Sequence, residues 1–216
     1  MQIQLVSKDK HELDAYVCSP QNQKKGSIIV IQEIFGITSH IESVCQSFAN
    51  EGYKTIAPAL FDRFEKNIIL NYKQIEEGKA YKERLDITDA MNDIDAAISI
   101  CDGPVAIVGY CFGGMLAHIA ASELKMNCAV SYYGGLIAEN HLDKSPDCPV
   151  MYHFGEEDFA IPMEKVDLIK ENYPEAIIHT YPNAGHGFNC EMRNDYHELS
   201  AETALDRTLT FIANHC

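Results

Sequence analysis

Short runs of consecutive apolar residues alternate with longer stretches in which apolar positions recur every three or four residues. Ile28-Ile29-Val30-Ile31 is β-branched and uninterrupted, the pattern of a strand buried on both faces. From Thr38 to Asn50 the apolar Ile41, Val44, Cys45 and Phe48 share one helical face. Thr38 or Ser39 can cap the start of that helix, and Gly52 follows its end. Lys54 to Ala57 reads as a second short strand, closed by Pro58. Asp86 to Ile100 reads as a helix with Ile87, Ala90, Met91, Ile94, Ala97 and Ile98 facing inward, broken by Gly103-Pro104. The alternation continues with strands at Val105–Val108, Cys128–Ser131, Pro149–Phe154 and Ala176–Tyr181. Helices are expected at Phe112–Leu124, Pro162–Asn172 and Glu198–Asn214.

Strand and helix in alternation predict an α/β protein with a mostly parallel central sheet and helices on both faces. The opening segments, Gln2 to Val6 and Glu12 to Cys18, have no helix between them and fit an antiparallel hairpin at one sheet edge. Asp62 to Gly78 carries the weakest pattern, mixed in charge, and is read as a helical excursion over the C-terminal edge of the sheet. The chain has 216 residues. A single core grows to about 250–300 residues before chains split, so one domain spanning the whole chain is expected.

Composition narrows the chemistry. A formal net charge of −15 opposes binding to a phosphate backbone, so nucleic acid is not an expected partner. It also gives anionic ligands no general attraction, so any acidic substrate needs a local basic group. No segment approaches the roughly 20 apolar residues of a membrane span, and Met1 to Leu5 does not open a signal peptide. The eight cysteines form no C-x-x-C pair and mostly sit in apolar runs, as reduced thiols packed like small core residues do. Reduced thiols in turn point to the cytoplasm. None of the nine histidines makes a tight ligand spacing with another, so neither a metal nor a cofactor is expected.

One cysteine has a different setting. Gly109-Tyr110-Cys111-Phe112-Gly113-Gly114 follows an apolar strand and opens an apolar helix. It is the G-x-S-x-G nucleophile elbow with cysteine in the serine position. The turn is so tight that side chains two residues before and after the nucleophile would collide, which explains Gly109 and Gly113. The N–H groups and positive dipole end of the following helix favour a thiolate and a later oxyanion. In the α/β-hydrolase fold an acid and a histidine follow the nucleophile in that order. Asp158 comes just past one expected strand, and His186 just past the next, flanked by Gly185 and Gly187. Both would stand at the carboxyl ends of strands, where α/β sheets build their sites.

Gln32-Glu33-Ile34-Phe35-Gly36, the elbow, Tyr132-Tyr133-Gly134 and Ala184-Gly185-His186 together resemble the dienelactone hydrolase family, from about Ile28 to the C-terminal helix. The resemblance implies a lactone or carboxylic-ester hydrolase with Cys111 as nucleophile and Asp158 and His186 as partners. It places Glu33 beside the cysteine, holding a neutral resting thiol and taking its proton when substrate binds. It also implies backbone N–H groups of Ile34 and Phe112 as an oxyanion hole, and Arg63 and Tyr133 as substrate-binding residues. The family's second carboxylate-binding arginine should fall four residues after the histidine. Cys190 stands there, and Arg193 follows three residues later. Two other readings compete with hydrolysis: a non-catalytic member that binds a small ligand or partner, and a redox-sensing thiol at Cys111.

Overall fold

The computed structural model describes residues 1–21 and 24–216. Eight strands form one sheet in the order β1-β2-β4-β3-β5-β6-β7-β8. β1 (Gln2–Val6) and β2 (Glu12–Cys18) pair antiparallel at one edge, and β2 pairs antiparallel with β4 (Tyr53–Pro58). From β4 onward every pairing is parallel, through β3 (Gly26–Ile31), β5 (Val105–Tyr110), β6 (Cys128–Tyr132), β7 (Val150–Gly155) and β8 (Ile177–Tyr181). Every residue of β3, β5, β6 and β7 is buried, which is why these strands read as continuous apolar runs instead of alternating ones.

The helices begin and end where local chemistry places them. α1 (Ser39–Asn50) is capped by the Thr38 hydroxyl, and α3 (Ile87–Ser99) by Asp86, whose carboxylate accepts the Thr88 amide at 2.7 Å. α4 (Phe112–Glu123) is apolar nearly all round and lies against β5 and β6. α6 (Met163–Asn172) and the closing α7 (Glu198–His215) fall close to their expected bounds. A one-turn α5 (Ile137–Asn140) and a 3₁₀ turn at Leu60–Arg63 have no counterpart in the hydrophobic pattern. The excursion from Asp62 to Gly78 is not the helix its sequence predicts. The helix there, α2, runs instead over Ile75–Arg84, after a stretch without helix from 64 to 74. α2 buries only Gly78, so it has no apolar stripe for periodicity to reveal.

The topology sets the site. From β3 the chain crosses through α1 to β4 on one side, then returns past β3 to reach β5 on the other. Right-handed crossovers therefore put α1 and α3 on opposite faces of the sheet. The switch of direction lies between β3 and β5, and a crevice opens beyond the carboxyl ends of strands at such a point. The loop after β3 begins with Gln32 and Glu33, and the residue after β5 is Cys111. No helix among the described residues is long and apolar enough to cross a membrane.

Candidate active site

The elbow has the strain that its glycines foretold. Cys111 adopts φ 54° and ψ −113°, outside the regions open to most side chains. A Cβ on Gly109 would lie 1.9 Å from the Gly113 carbonyl oxygen, and one on Gly113 would lie 2.3 Å from that of Ile31. Only glycine lets β5, α4 and the end of β3 meet so closely. The Cys111 amide is fastened to the Tyr132 carbonyl at 3.0 Å.

Three side chains from three strand ends then meet. His186 Nε2 lies 3.1 Å from Cys111 Sγ, and His186 Nδ1 donates to Asp158 Oδ2 at 2.8 Å. Asp158 is 2% exposed and is held on its other oxygen by the amides of Ala160 (2.8 Å) and Ile161 (3.1 Å). The loops carrying the acid and the histidine are laced together, since the Glu157 amide bonds the Ala184 carbonyl at 3.0 Å. Burial works against a charge on His186, but the Cys111 sulfur and the Asp158 carboxylate outweigh it and raise the imidazole to about 10.

Glu33 stands in contrast. It is 1% exposed, and neither carboxylate oxygen has a hydrogen-bond partner among the described residues. Burial pushes its carboxyl upward, with Arg193 and His186 pulling the other way. The expected resting bond from Glu33 to the thiol is absent; the sulfur is bonded to His186 instead. The backbone amides of Ile34 and Phe112 have no acceptor among the described residues, because one lies in a loop and the other opens α4.

Two expected substrate-binding residues are corrected. Arg63 is committed elsewhere: Nε and Nη2 grip both Asp93 oxygens at 2.8 Å each, and Nη1 bonds Asp9 at 2.8 Å and pairs with Asp89 at 3.3 Å. Those aspartates belong to the β1–β2 turn and to α3, so Arg63 ties the sheet edge to a helix and offers no free fork to a ligand. Tyr133 is 0% exposed and packs edge-on, its ring centre 5.3 Å from that of His186 and 5.5 Å from that of Phe188. It supports the histidine from beneath, and a substrate cannot reach it without displacing that packing.

Arg193 does reach the site. The Cys190 amide bonds the Gly187 carbonyl at 2.9 Å, and the Arg193 amide bonds that of Cys190 at 3.0 Å. These two turns fold the chain back on itself. The guanidinium lies over Gly187, within 2.6–2.8 Å of where a Cβ would stand, and Nη1 is 3.5 Å from Glu33 Oε1. Its side chain is 15% exposed and its ion pairs, to Glu33 and to Asp195 at 3.6 Å, are too long for good hydrogen bonds. Cys190, at the position where an arginine was sought, is fully buried. The signal available in the sequence was charge: Arg193 is the sole lysine or arginine between Lys170 and Arg207.

The remaining cysteines are free thiols in the structure, as is Cys111. Among the described residues no three His, Cys, Asp or Glu side chains cluster in a way that could hold a metal.

An elbow at a topological switch point, with an acid and a histidine following it in chain order, defines a member of the α/β-hydrolase fold. Similarity to known proteins narrows the class. The family model for the dienelactone hydrolase family matches residues 13–216, and the chain belongs to that family. A carboxymethylenebutenolidase of Pseudomonas putida is 32% identical over 98% of this chain and 95% of its own. Carboxymethylenebutenolidase 1 of Cupriavidus pinatubonensis is 28% identical, with the same coverage of both chains. A solved structure of a dienelactone hydrolase-like promiscuous phosphotriesterase from metagenomic libraries superimposes with a TM-score of 0.81, at 16% identity, over 100% of this chain and 98% of that one. The likeness to that structure is one of fold. The chain is a dienelactone hydrolase-like hydrolase.

Proposed function

We propose that this chain hydrolyses a lactone or carboxylic ester, the class of reaction that the name of its carboxymethylenebutenolidase relatives denotes, and does so by covalent catalysis at Cys111. The observation that carries the proposal is the unbroken relay from Asp158 through His186 to the Cys111 sulfur, at 2.8 Å and 3.1 Å. Glu33 accepts the thiol proton, a task suited to a buried carboxylate without hydrogen bonds. The resulting thiolate is held by the His186 imidazolium and attacks the carbonyl carbon. The developing oxyanion is received by the free amides of Ile34 and Phe112. Collapse of the tetrahedral intermediate breaks the C–O bond. His186 protonates the leaving alkoxide, which in a lactone stays attached as a hydroxyl arm of the acyl group. Neutral His186 then takes a proton from water, and the hydroxide releases the acid and restores the thiolate.

The cation facing this chemistry is Arg193. We assign it, in place of Arg63, to an acidic group on the substrate, because its donors make no short bond within the protein. The relay favours turnover over a purely ligand-binding role. A redox-sensing role for Cys111 has no partner sulfur bonded to it.

The test uses a chromogenic short-chain ester and dienelactone, with and without prior iodoacetamide. Hydrolysis abolished both by alkylation and by Cys111→Ala, in a protein that keeps its circular dichroism, is the expected result. Full activity in Cys111→Ala would end the covalent mechanism.

A further inference from the structure

The Ile34 amide lies on an irregular loop, Gln32 to Thr38, and that loop is fastened almost wholly by the segment that follows β4. The Leu60 amide donates to Gln32 Oε1 at 3.2 Å, and the Leu70 amide to the Phe35 carbonyl at 2.9 Å. Gly36 forms an antiparallel bridge with Ile69. The Tyr72 hydroxyl lies 3.1 Å from Thr38 Oγ1, and its ring packs edge-on against Phe35 at 4.8 Å.

α2 closes this arrangement through its one buried residue. A Cβ on Gly78 would lie 2.5 Å from the Ile34 carbonyl oxygen, 3.1 Å from Ile34 Cγ1 and 3.2 Å from Ile34 Cβ. Glycine is a poor choice for a helix interior, ahead only of proline. Tyr81 of α2 also stacks on Phe61 at 5.3 Å, but Gly78 is the one residue the helix buries, and its presence there marks a close approach that a side chain would prevent.

We propose that Gly78 is a positioning residue for the oxyanion hole, and that α2 acts as a backstop fixing where the Ile34 amide points. The proposal rests on the covalent reading above and extends it to a residue on a helix that contributes no side chain to the site. An added methyl group must drive Ile34 or α2 back from a 2.5 Å approach to at least 3.0 Å, a shift of about 0.5 Å or more. An oxyanion donor is useful only when aimed at where the charge develops, so a displaced amide weakens the transition state and not the bound substrate.

The experiment compares Gly78→Ala and Gly78→Ser with the native protein on one chromogenic ester, alongside the rate of Cys111 alkylation by iodoacetamide. Alkylation uses the thiolate but forms no oxyanion, so it reports the relay separately. The expected result is a kcat lower by about 10- to 100-fold in both variants, with KM, Tm and the alkylation rate close to native. Gly78→Val should lose more than either. An unchanged kcat, showing that α2 retreats freely, overturns the proposal. So does a parallel fall in kcat and alkylation, which would place the damage in the relay. Failure of the covalent reading itself is recognised in the native protein, as ester turnover that survives complete alkylation of Cys111.

Discussion

Two buried carboxylates act on the same histidine, and they are solved in opposite ways. Asp158 has three N–H donors, two from its own loop and one from His186. Glu33 has none, only a guanidinium at 3.5 Å. A carboxylate with satisfied oxygens is a fixed anchor that holds an imidazole in one tautomer. A carboxylate without hydrogen bonds in a dry pocket is poorly stabilised as an anion and welcomes a proton. The difference separates orientation from proton storage, and it implies that the two residues respond differently to the same conservative change.

The largest effect is expected at Asp158. Asp158→Asn should cut kcat by about 10³- to 10⁴-fold, because the amide cannot hold the same imidazole tautomer. It should also lower Tm, since its loop loses a charged acceptor. Glu33→Gln should slow acylation by about 10²-fold, the scale of general acid–base assistance, while leaving Tm equal or higher. Single-turnover acylation rates and thermal melts of both variants check this. A Tm drop in Glu33→Gln as large as that in Asp158→Asn would break the contrast.

Arg193 and Arg63 provide the next test. Arg193→Met should reduce kcat/KM for an anionic lactone by about 10- to 100-fold and spare a neutral ester, the scale of one charged hydrogen bond. Arg63→Ala should show no such selectivity. It leaves Asp93 buried without its partner and should instead cost about 3 kcal/mol of stability, read by urea unfolding. Selective loss in Arg63→Ala, with Arg193→Met neutral, would reverse both assignments.

The smallest effect concerns pH. The His186 imidazole is raised to about 10, above the ordinary histidine range, so its charged form persists through neutrality and is lost only as pH rises through that value. In ester turnover, where His186 delivers its proton to the leaving alkoxide, the limb of the kcat profile that reports this proton should therefore fall only as pH rises toward 10. In Asp158→Asn one of the two raising influences is gone, and the change should move to lower pH. A native profile that falls near pH 6.5 would show that the charge on His186 does not persist through neutrality.

Some of this was readable from residues alone because it is local. The elbow declares itself within six residues, since a Cβ on Gly109 would strike the chain's own next turn at the Gly113 carbonyl, whereas Gly113 is required by the end of β3, 2.3 Å from where its Cβ would stand. Asp158 and His186 were found by strand order, and the continuous apolar runs of β3, β5, β6 and β7 pointed to a parallel sheet. Tyr133 and Arg63 were misplaced for a common reason. Whether a tyrosine lines a cavity or lies beneath a histidine, and whether an arginine faces a ligand or an aspartate 30 residues away, depends on partners that local sequence does not name. The bounds of α2 were not legible because the one residue it buries is a glycine, and a hydrophobic pattern cannot record a missing side chain.

The order of amino acids by itself determined the alternation of strand and helix and the strained turn at Cys111, and it named Asp158 and His186 as candidate partners. The first two follow from burial and steric exclusion within a few residues of the chain, the last from the order of strands and the loops that follow them. Only the tertiary structure decided which cation shares a pocket with Glu33. Two successive turns after Gly187 carry Arg193 back over that glycine, while Cys190 turns into the core. Coulombic influence depends on distance through space, and the fold, not the spacing along the chain, sets that distance.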